Sequence, residues 1–316
     1  MQSVKDLDRD IVTIKYNLLN LPEYVQFKNG NAIKNLYDAG GQKLRSDYYT
    51  RLTTITPLAE GEVLEPEYAP TNYSYNGTAY IEGKEYSIRK TGRRIGKLTR
   101  YVDVIVLNKV YNPEGYVTEV ANPQYFYFRR DHLGNNREVW RAAYSYRNPR
   151  YGTVNHFPAT TIQQTQYYPS GLPWAEGEGQ DVQNKKYNGK EFVEVHGLDE
   201  YDSAARWYYP ATYFTPTIDP LAEKYYSISP YAWCGGNPVN AVDLDGRKVV
   251  FINDYLGFGS PNGGKAYWNN SFISGAQTFF NDNTAPYFTD VEHRMLSSAS
   301  GRQSKGYAYA KKTMLL

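Results

Sequence analysis

The chain has 316 residues, with 35 Lys and Arg against 33 Asp and Glu, so its formal net charge is only +2. This balance argues against a protein that binds nucleic acid or an anionic membrane. One cysteine and four histidines exclude a disulfide framework and a Cys-rich metal site, so we expect no metal and no cofactor. No apolar run approaches the roughly 18 residues of a membrane-spanning helix.

Aromatic and turn-forming residues dominate the composition. The chain has 33 Tyr, 12 Phe and 5 Trp, together with 26 Gly and 17 Pro. Tyrosine favours strands, because its ring packs while its hydroxyl reaches water or a partner, and Gly and Pro supply turns. The sequence therefore predicts a mainly β protein with many short strands.

A degenerate pattern occurs three times in the first 145 residues: a strand, a tyrosine followed by Asn or Asp, a turn and a second strand. The copies are residues 14–22 (IKYNLLNLP), 36–44 (LYDAGGQKL) and 110–117 (VYNPEGYV). In each copy the Asn or Asp side chain can accept a hydrogen bond from the backbone that follows and so begin the turn. The first two copies lie about 20 residues apart, a period typical of β-solenoids and spiralling sheets.

Residues 46–100 interrupt this pattern. Pro57, Pro66 and Pro70 would each remove a hydrogen-bond donor from a strand ladder. We therefore predict an insertion near residues 46–100, with a long loop over about residues 50–75.

Residues 37–44 resemble the YD repeat of bacterial RHS proteins, and further motifs of that family follow in order. Residues 125–137 (YFYFRRDHLGNNR) resemble its aromatic-Asp-His-Leu-Gly-Asn signature. The RHS-repeat-associated core is matched by a series of segments: 168–173 (YPSGLP), 186–191 (KYNGKE), 197–210, 219–224 (DPLAEK), 229–233 (SPYAW), 237–240 (NPVN) and 243–246 (DLDG). The resemblance covers roughly residues 10–246, and the chain resembles a C-terminal fragment of an RHS polymorphic toxin.

This resemblance implies Tyr-rich hairpins that spiral into a shell around a C-terminal polypeptide, commonly a toxin. We divide the chain into a degenerate YD-repeat region (1–124), an RHS-repeat-associated core (125–246) and a variable effector region (247–316). So few repeats form only part of a shell, and we interpret both ends as truncations. Because no signal peptide is present, we expect secretion or surface display as part of a longer protein, with a role in intercellular competition.

In some RHS-like shells the core resembles a self-cleaving aspartyl protease that cuts just after the closing motif. The matching residues are Arg206, Asp219 and one acid of the closing motif, Asp243 or Asp245, with the cut near Gly246–Arg247. Two carboxylates that share a site push their pKa values apart, so one can act as an acid while the other activates water. The arginine could hold the charged partner.

Two departures from the family pattern leave a second interpretation open. Leu244 stands where the closing motif usually has Pro, and Arg247 stands where cleaving members have Leu. In this interpretation Asp219, Asp243 and Asp245 only form turns, and their carboxylates accept hydrogen bonds from local backbone N–H groups.

The histidines and the cysteine offer little chemistry. His132 is predicted to be a hydrogen-bonded hairpin residue rather than a base, and Cys234 a buried, inert thiol. His156, His196 and His293 have no Cys or His neighbour at the spacing of metal ligands.

The segment after residue 246 has a different character. Residues 248–253 predict a strand, residues 256–264 a Gly-rich loop and residues 265–280 a helix, the start of an α/β unit. It resembles the first third of a lipase-like α/β-hydrolase. The chain contains no Gly-x-Ser-x-Gly motif, so the catalytic triad would lie beyond residue 316, and we expect a truncated effector.

The preferred hypothesis is a structural carrier that encapsulates or presents part of a secreted bacterial toxin. It would turn over no small molecule; its cargo would be its own C-terminal effector segment, and an immunity protein is a further predicted partner. The alternative is a self-cleaving aspartyl core that releases a lipase-like effector. A third hypothesis is a surface adhesin whose Tyr-rich strands bind glycans.

Overall fold

The computed structural model describes residues 4–6, 8–95, 98–118, 122–176, 183–224, 228–247, 249–251 and 274. The predicted effector region, residues 247–316, therefore lies almost entirely outside the described residues. Strands dominate the described part of the chain, which confirms the predicted mainly β fold class. The chain divides into two compact units, one of Met1–Tyr125 and Glu194–Leu198, the other of Phe126–Val193 and Asp199–Leu316.

The described residues of the first unit form an antiparallel sheet in which each strand pairs with the next along the chain. Buried residues of β2 to β5, such as Ile11, Phe27 and Ile33, form its core. The strands are β1 (Val4–Asp6), β2 (Ile11–Tyr16), β3 (Pro22–Phe27), β4 (Ala32–Tyr37), β5 (Lys43–Arg51), β6 (Tyr73–Ile81), β7 (Lys84–Ile95), β8 (Leu98–Asn112) and β9 (Gly115–Thr118).

All three predicted repeats are hairpin turns of this sheet, at the β2–β3, β4–β5 and β8–β9 connections. Asn17 and Asp38 each accept a hydrogen bond from the backbone N–H four residues on, at 3.0 and 2.8 Å. Asn112 accepts one from the N–H two residues on, at 2.9 Å. The turn-forming role predicted for these side chains is confirmed.

The segment predicted as an insertion contains a long loop followed by two strands. Residues 52–72 contain no strand, in agreement with the predicted loop, but residues 73–95 continue the sheet as β6 and β7. The insertion near residues 46–100 stays a prediction, and Pro57, Pro66 and Pro70 all lie in its strand-free part. Side chains anchor the loop: Tyr24 donates to the Leu64 carbonyl and Gln26 accepts from the Leu64 N–H, both at 2.9 Å.

The second unit contains several small antiparallel sheets. In the largest, β10, β11, β14 and β15 pair in that order; β12 pairs with β13, β16 to β18 form a third sheet, and β19 pairs with β20. The strands are β10 (Gln124–Arg130), β11 (Asn136–Arg141), β12 (Tyr144–Arg147), β13 (Val154–Phe157), β14 (Thr160–Tyr167), β15 (Pro173–Glu176), β16 (Glu191–Val193), β17 (Glu200–Ser203), β18 (Arg206–Tyr208), β19 (Ala241–Asp243) and β20 (Val249–Phe251).

Two segments singled out in the sequence, residues 125–137 and 186–191, are hydrogen-bonded to each other in this unit. Asp131 caps its own turn by accepting a hydrogen bond from the Leu133 N–H at 3.0 Å. Asn188 of the second motif donates its side-chain amide to the Leu133 carbonyl at 2.9 Å and its backbone N–H to Asn135 Oδ1 at 2.8 Å. His132 lies in this turn and is exposed.

Buried aromatic side chains form the core of the second unit. Tyr208 stacks on Trp233, with ring centroids 4.3 Å apart and planes 14° apart. The hydroxyls of Tyr201 and Tyr208 donate to the carbonyls of Gly171 and Ser170, at 2.9 and 2.7 Å. The high tyrosine content therefore serves packing and turn anchoring together, because each ring fills the core while its hydroxyl satisfies a buried carbonyl.

Cys234 is fully buried in this core, as predicted for an inert thiol, and burial raises the pKa of its thiol well above the ordinary value. Among the described residues, no group of three or more His, Cys, Asp or Glu is arranged to hold a metal ion. No helix in the described part of the chain is both long and apolar enough to cross a membrane.

Candidate functional site

Arg206 brings the two predicted acids together. It is the first residue of β18 and only 1% of it is exposed, because the short β17–β18 hairpin turns its side chain into the core. Its Nη2 atom lies 2.9 Å from Asp219 Oδ2 and 3.0 Å from Asp243 Oδ2. One guanidinium nitrogen thus binds carboxylates that are 24 residues apart in the sequence.

The other nitrogens of Arg206 bind backbone oxygens and a hydroxyl. Nε donates to the Gly246 carbonyl at 2.6 Å. Nη1 lies 3.4 Å from Thr215 Oγ1 and 3.4 Å from the Pro230 carbonyl. These contacts fix the plane of the guanidinium, so that its orientation toward Gly246 does not depend on the carboxylates alone.

The peptide bond between Gly246 and Arg247 is held at both of its polar atoms. Its carbonyl oxygen accepts from Arg206 Nε, and its N–H donates to Asp243 Oδ1 at 3.0 Å and to Asp245 Oδ1 at 3.1 Å. This is the bond at which the sequence predicts self-cleavage. The sequence left the second acid open. In the structure both acids accept from the N–H of this bond, and Asp243 also binds Arg206.

Gly246 occupies a position that a larger residue could not take unchanged. Its φ is +77°, and a Cβ atom there would lie 2.7 Å from the Ser203 carbonyl oxygen and 2.8 Å from the Arg206 backbone nitrogen. Only glycine combines this left-handed backbone with so close an approach to the β17–β18 turn. The sequence motif contains this glycine, but its spacing did not reveal the contact.

Burial shifts the acids of the site toward their protonated forms. Asp243 is fully buried, and its burial raises the pKa of the carboxyl to about 6, although Arg206 and Lys190 act in the opposite direction. Burial also raises the pKa of Asp219, again against the effect of Arg206. About 12% of the Asp219 side chain remains exposed, whereas Asp243 has no contact with solvent.

A small cavity lies beside Asp219. Its volume is about 20 Å³, and its lining includes Asp219, Pro230, Ala232 and Gly235. This volume suffices for one water molecule. Asp219 is the charged residue of this lining.

Some polar contacts of the site were not predicted from the sequence. Lys190 Nζ donates to the Leu244 carbonyl at 3.0 Å, and Thr215 contacts the guanidinium of Arg206. Lys190 lies in the 186–191 motif, for which the sequence predicted no role in the site. Its contact with Leu244, 54 residues further along the chain, depends on the packing of the second unit.

No family model matches the sequence, and no curated protein matches it. Solved structures with a similar fold include a Tc holotoxin pore of Photorhabdus luminescens with a mutated TccC3 (16% identity, TM-score 0.49). Others are a complex of TcdB2, TccC3 and Cdc42 (17%, 0.46) and TcdB2–TccC3 without its hypervariable C-terminal region (16%, 0.45). The matches cover 77%, 78% and 77% of this chain but only 10% of each of those chains.

Proposed function

We propose that this chain is the core segment of an RHS-type carrier protein that cuts itself between Gly246 and Arg247. The observation that supports the proposal is the pair of contacts on that bond. Arg206 Nε donates to its carbonyl oxygen at 2.6 Å, and Asp243 Oδ1 accepts from its N–H at 3.0 Å. A cation at the carbonyl and a carboxyl at the leaving nitrogen are the groups that hydrolysis of an amide requires.

In the proposed reaction, a water molecule attacks the carbonyl carbon of Gly246 and gives its proton to the Asp219 carboxylate. The negative charge that develops on the carbonyl oxygen faces Arg206 Nε. The C–N bond then breaks as the carboxyl of Asp243 donates its proton to the Arg247 nitrogen. The products are a carboxyl group on Gly246 and an amino group on Arg247, and no other reactant is needed.

The roles of the two acids follow from their positions. Asp243 contacts the leaving nitrogen, and its raised pKa of about 6 keeps part of it protonated near neutral pH. Asp219 lies beside the water-sized cavity, and 12% of its side chain is exposed whereas Asp243 is fully buried. Contact with solvent favours the charged carboxylate, the form in which Asp219 can act as a base.

The second candidate function is a passive carrier whose aspartates only stabilise turns. It is favoured by local hydrogen bonds of the kind that stabilise turns in any protein. Asp219 Oδ1 accepts from the Leu221 N–H at 2.7 Å, and Asp245 Oδ1 accepts from the Arg247 N–H. In that case the buried pair of Arg206 and Asp243 fixes the fold of the core.

Under either function we propose that the chain acts within a longer, secreted or surface-displayed bacterial protein. Its cargo would be its own C-terminal region, with an immunity protein as a further partner. The motif series over residues 10–246 supports this role. A lipase-like activity of that region stays a prediction, because residues 252–273 and 275–316 lie outside the described residues.

The intact mass of the purified chain tests the proposal. We expect two products that break between Gly246 and Arg247, and a single uncut chain for Asp219→Asn and for Asp243→Asn. Asparagine keeps an oxygen that can cap Leu221, so the first variant removes the base but leaves the turn. The matched control is Asp131→Asn, a turn-capping aspartate far along the chain from the site, which should still be cut. An uncut wild-type chain would establish the passive carrier.

A further inference from the structure

The loop that contains the proposed cut is held by its backbone carbonyls. Lys190 Nζ donates to the Leu244 carbonyl at 3.0 Å. The next two carbonyls, those of residues 245–246, accept from the Ala205 backbone N–H at 3.0 Å and from Arg206 Nε at 2.6 Å. Each of these three successive carbonyl groups therefore accepts a hydrogen bond. Of the three donors named, Lys190 is the one that is neither a backbone N–H nor a group that contacts the bond to be cut.

Lys190 is directed at this loop by a rigid turn. It follows the short 3-10 turn Tyr187–Gly189, and its own N–H donates to the Tyr187 carbonyl at 2.9 Å. Its carbonyl accepts from the Lys186 N–H at 2.8 Å. Its ammonium lies 5.7 Å from the centroid of the Trp233 ring. These backbone bonds fix the place of Lys190 at the end of the turn, and its ammonium reaches the Leu244 carbonyl from there.

We propose that Lys190 is a positioning residue of the self-cleavage site: by holding the Leu244 carbonyl it fixes the loop that presents the Gly246–Arg247 bond to Arg206 and Asp243. This inference rests on the proposed function. Lys190 acts through the loop, since its ammonium binds the carbonyl of Leu244, two residues before the bond.

The charge of Lys190 offers a measurement of its position that does not depend on cleavage. Burial lowers the pKa of its ammonium, while Asp243, Asp202 and Asp245 raise it. Four charged groups act on Asp243 in turn. Arg206 and Lys190 lower its pKa, whereas Asp245 and Asp219 raise it. Removal of the lysine charge should therefore raise the pKa of Asp243.

The test compares Lys190→Met with Lys190→Arg and with Lys224→Met, which removes an exposed lysine of the same unit. Each chain is prepared unfolded in denaturant, and cleavage is started by dilution into native buffer. We expect Lys190→Met to slow cleavage roughly 10- to 100-fold, the effect of one charge-assisted hydrogen bond. Lys190→Arg should recover part of the rate, and Lys224→Met should cleave like the wild type.

A second measurement separates this inference from the proposed function. In the Asp219→Asn background, which should not cleave, the carboxyl of Asp243 is titrated by NMR with and without Lys190→Met. A higher pKa in the double variant supports the placement of Lys190 even if the wild-type chain proves uncut. Wild-type rates in Lys190→Met, or an unchanged Asp243 titration, would overturn the inference while leaving self-cleavage standing.

Discussion

Gly246 lies so close to Ser203 that a Cβ atom on the glycine would approach the Ser203 carbonyl oxygen to 2.7 Å. That oxygen belongs to the end of β17, and the Arg206 backbone nitrogen lies almost as near on the other side of the turn. Gly246, the residue before the proposed cut, therefore packs closely against the β17–β18 turn, which contains the backbone of Arg206. Backbone atoms form this contact, so no side-chain movement can relieve a clash there.

Gly246→Ala should therefore abolish detectable cleavage, because the added methyl group moves the carbonyl away from Arg206. Unfolding in denaturant should show a loss of stability of about 2–4 kcal/mol, from the left-handed backbone and the clash together. Gly236→Ala is the matched control: its φ is +82° but no atom lies within 4 Å of the added carbon. That variant should lose only about 1 kcal/mol and still cleave. Equal effects of the two changes would contradict the role of the close contact.

The cleavage rate should depend on the protonation of both acids. The reaction needs Asp243 with its proton and Asp219 without one, so the rate should fall as the pH rises through about 6, the pKa of Asp243. It should fall again at low pH, where Asp219 takes up a proton. Single-turnover cleavage after dilution from denaturant, measured from pH 4 to 9, gives this profile. A rate that keeps rising above pH 7 would assign the proton donor to another group.

The two products should stay together after cleavage. Strand β20 lies beyond the cut and pairs with β19 before it, and Val249 is only 8% exposed. The new amino group of Arg247 would carry a positive charge beside Asp243 and Asp245. We expect both fragments to elute together in native size-exclusion chromatography and to separate in denaturant.

Val249→Asp should weaken this association, because it places a charge in the aromatic core. The control is Val239→Asp, since Val239 is 47% exposed. Separate elution of the wild-type fragments would show that the strand pair and the ion pairs do not hold them.

His196 should make the first unit sensitive to acid. Its Nδ1 atom accepts from Asn31 Nδ2 at 3.0 Å, its ring lies edge-on to Phe27, and burial lowers its pKa to about 4. In the unfolded chain His196 binds a proton near pH 6.5, whereas in the folded chain it does so only near pH 4. The free energy of unfolding should therefore fall as the pH drops between these values. His196→Asn, which tolerates the φ of +62° at this position, should remove this slope.

Denaturant unfolding at pH 7 and pH 4.5 measures the effect, which we expect to be roughly 2 kcal/mol. His132→Asn replaces an exposed histidine and should leave the slope unchanged. An acid sensitivity that survives in the His196 variant would place its origin in another group.

The local structure was determined by the sequence itself. The turns at Asn17, Asp38 and Asn112 depend on hydrogen bonds that span two to four residues, so a short motif specifies them completely. The tyrosine content and the turn residues likewise determined a mainly β chain. The resemblance to RHS proteins identified Arg206 and the acids as candidate site residues, because each lies in a segment that matches a motif.

Only the tertiary structure decided how those segments meet. Arg206 and Asp243 are 37 residues apart, and Lys190 and Leu244 are 54 apart, so their contacts depend on sheet order and core packing rather than on any local signal. The choice between Asp243 and Asp245 was open for the same reason. Asp243 is the last residue of β19 and is fully buried, whereas Asp245 lies in the turn after that strand, and only the packing of the core decides which carboxylate reaches Arg206.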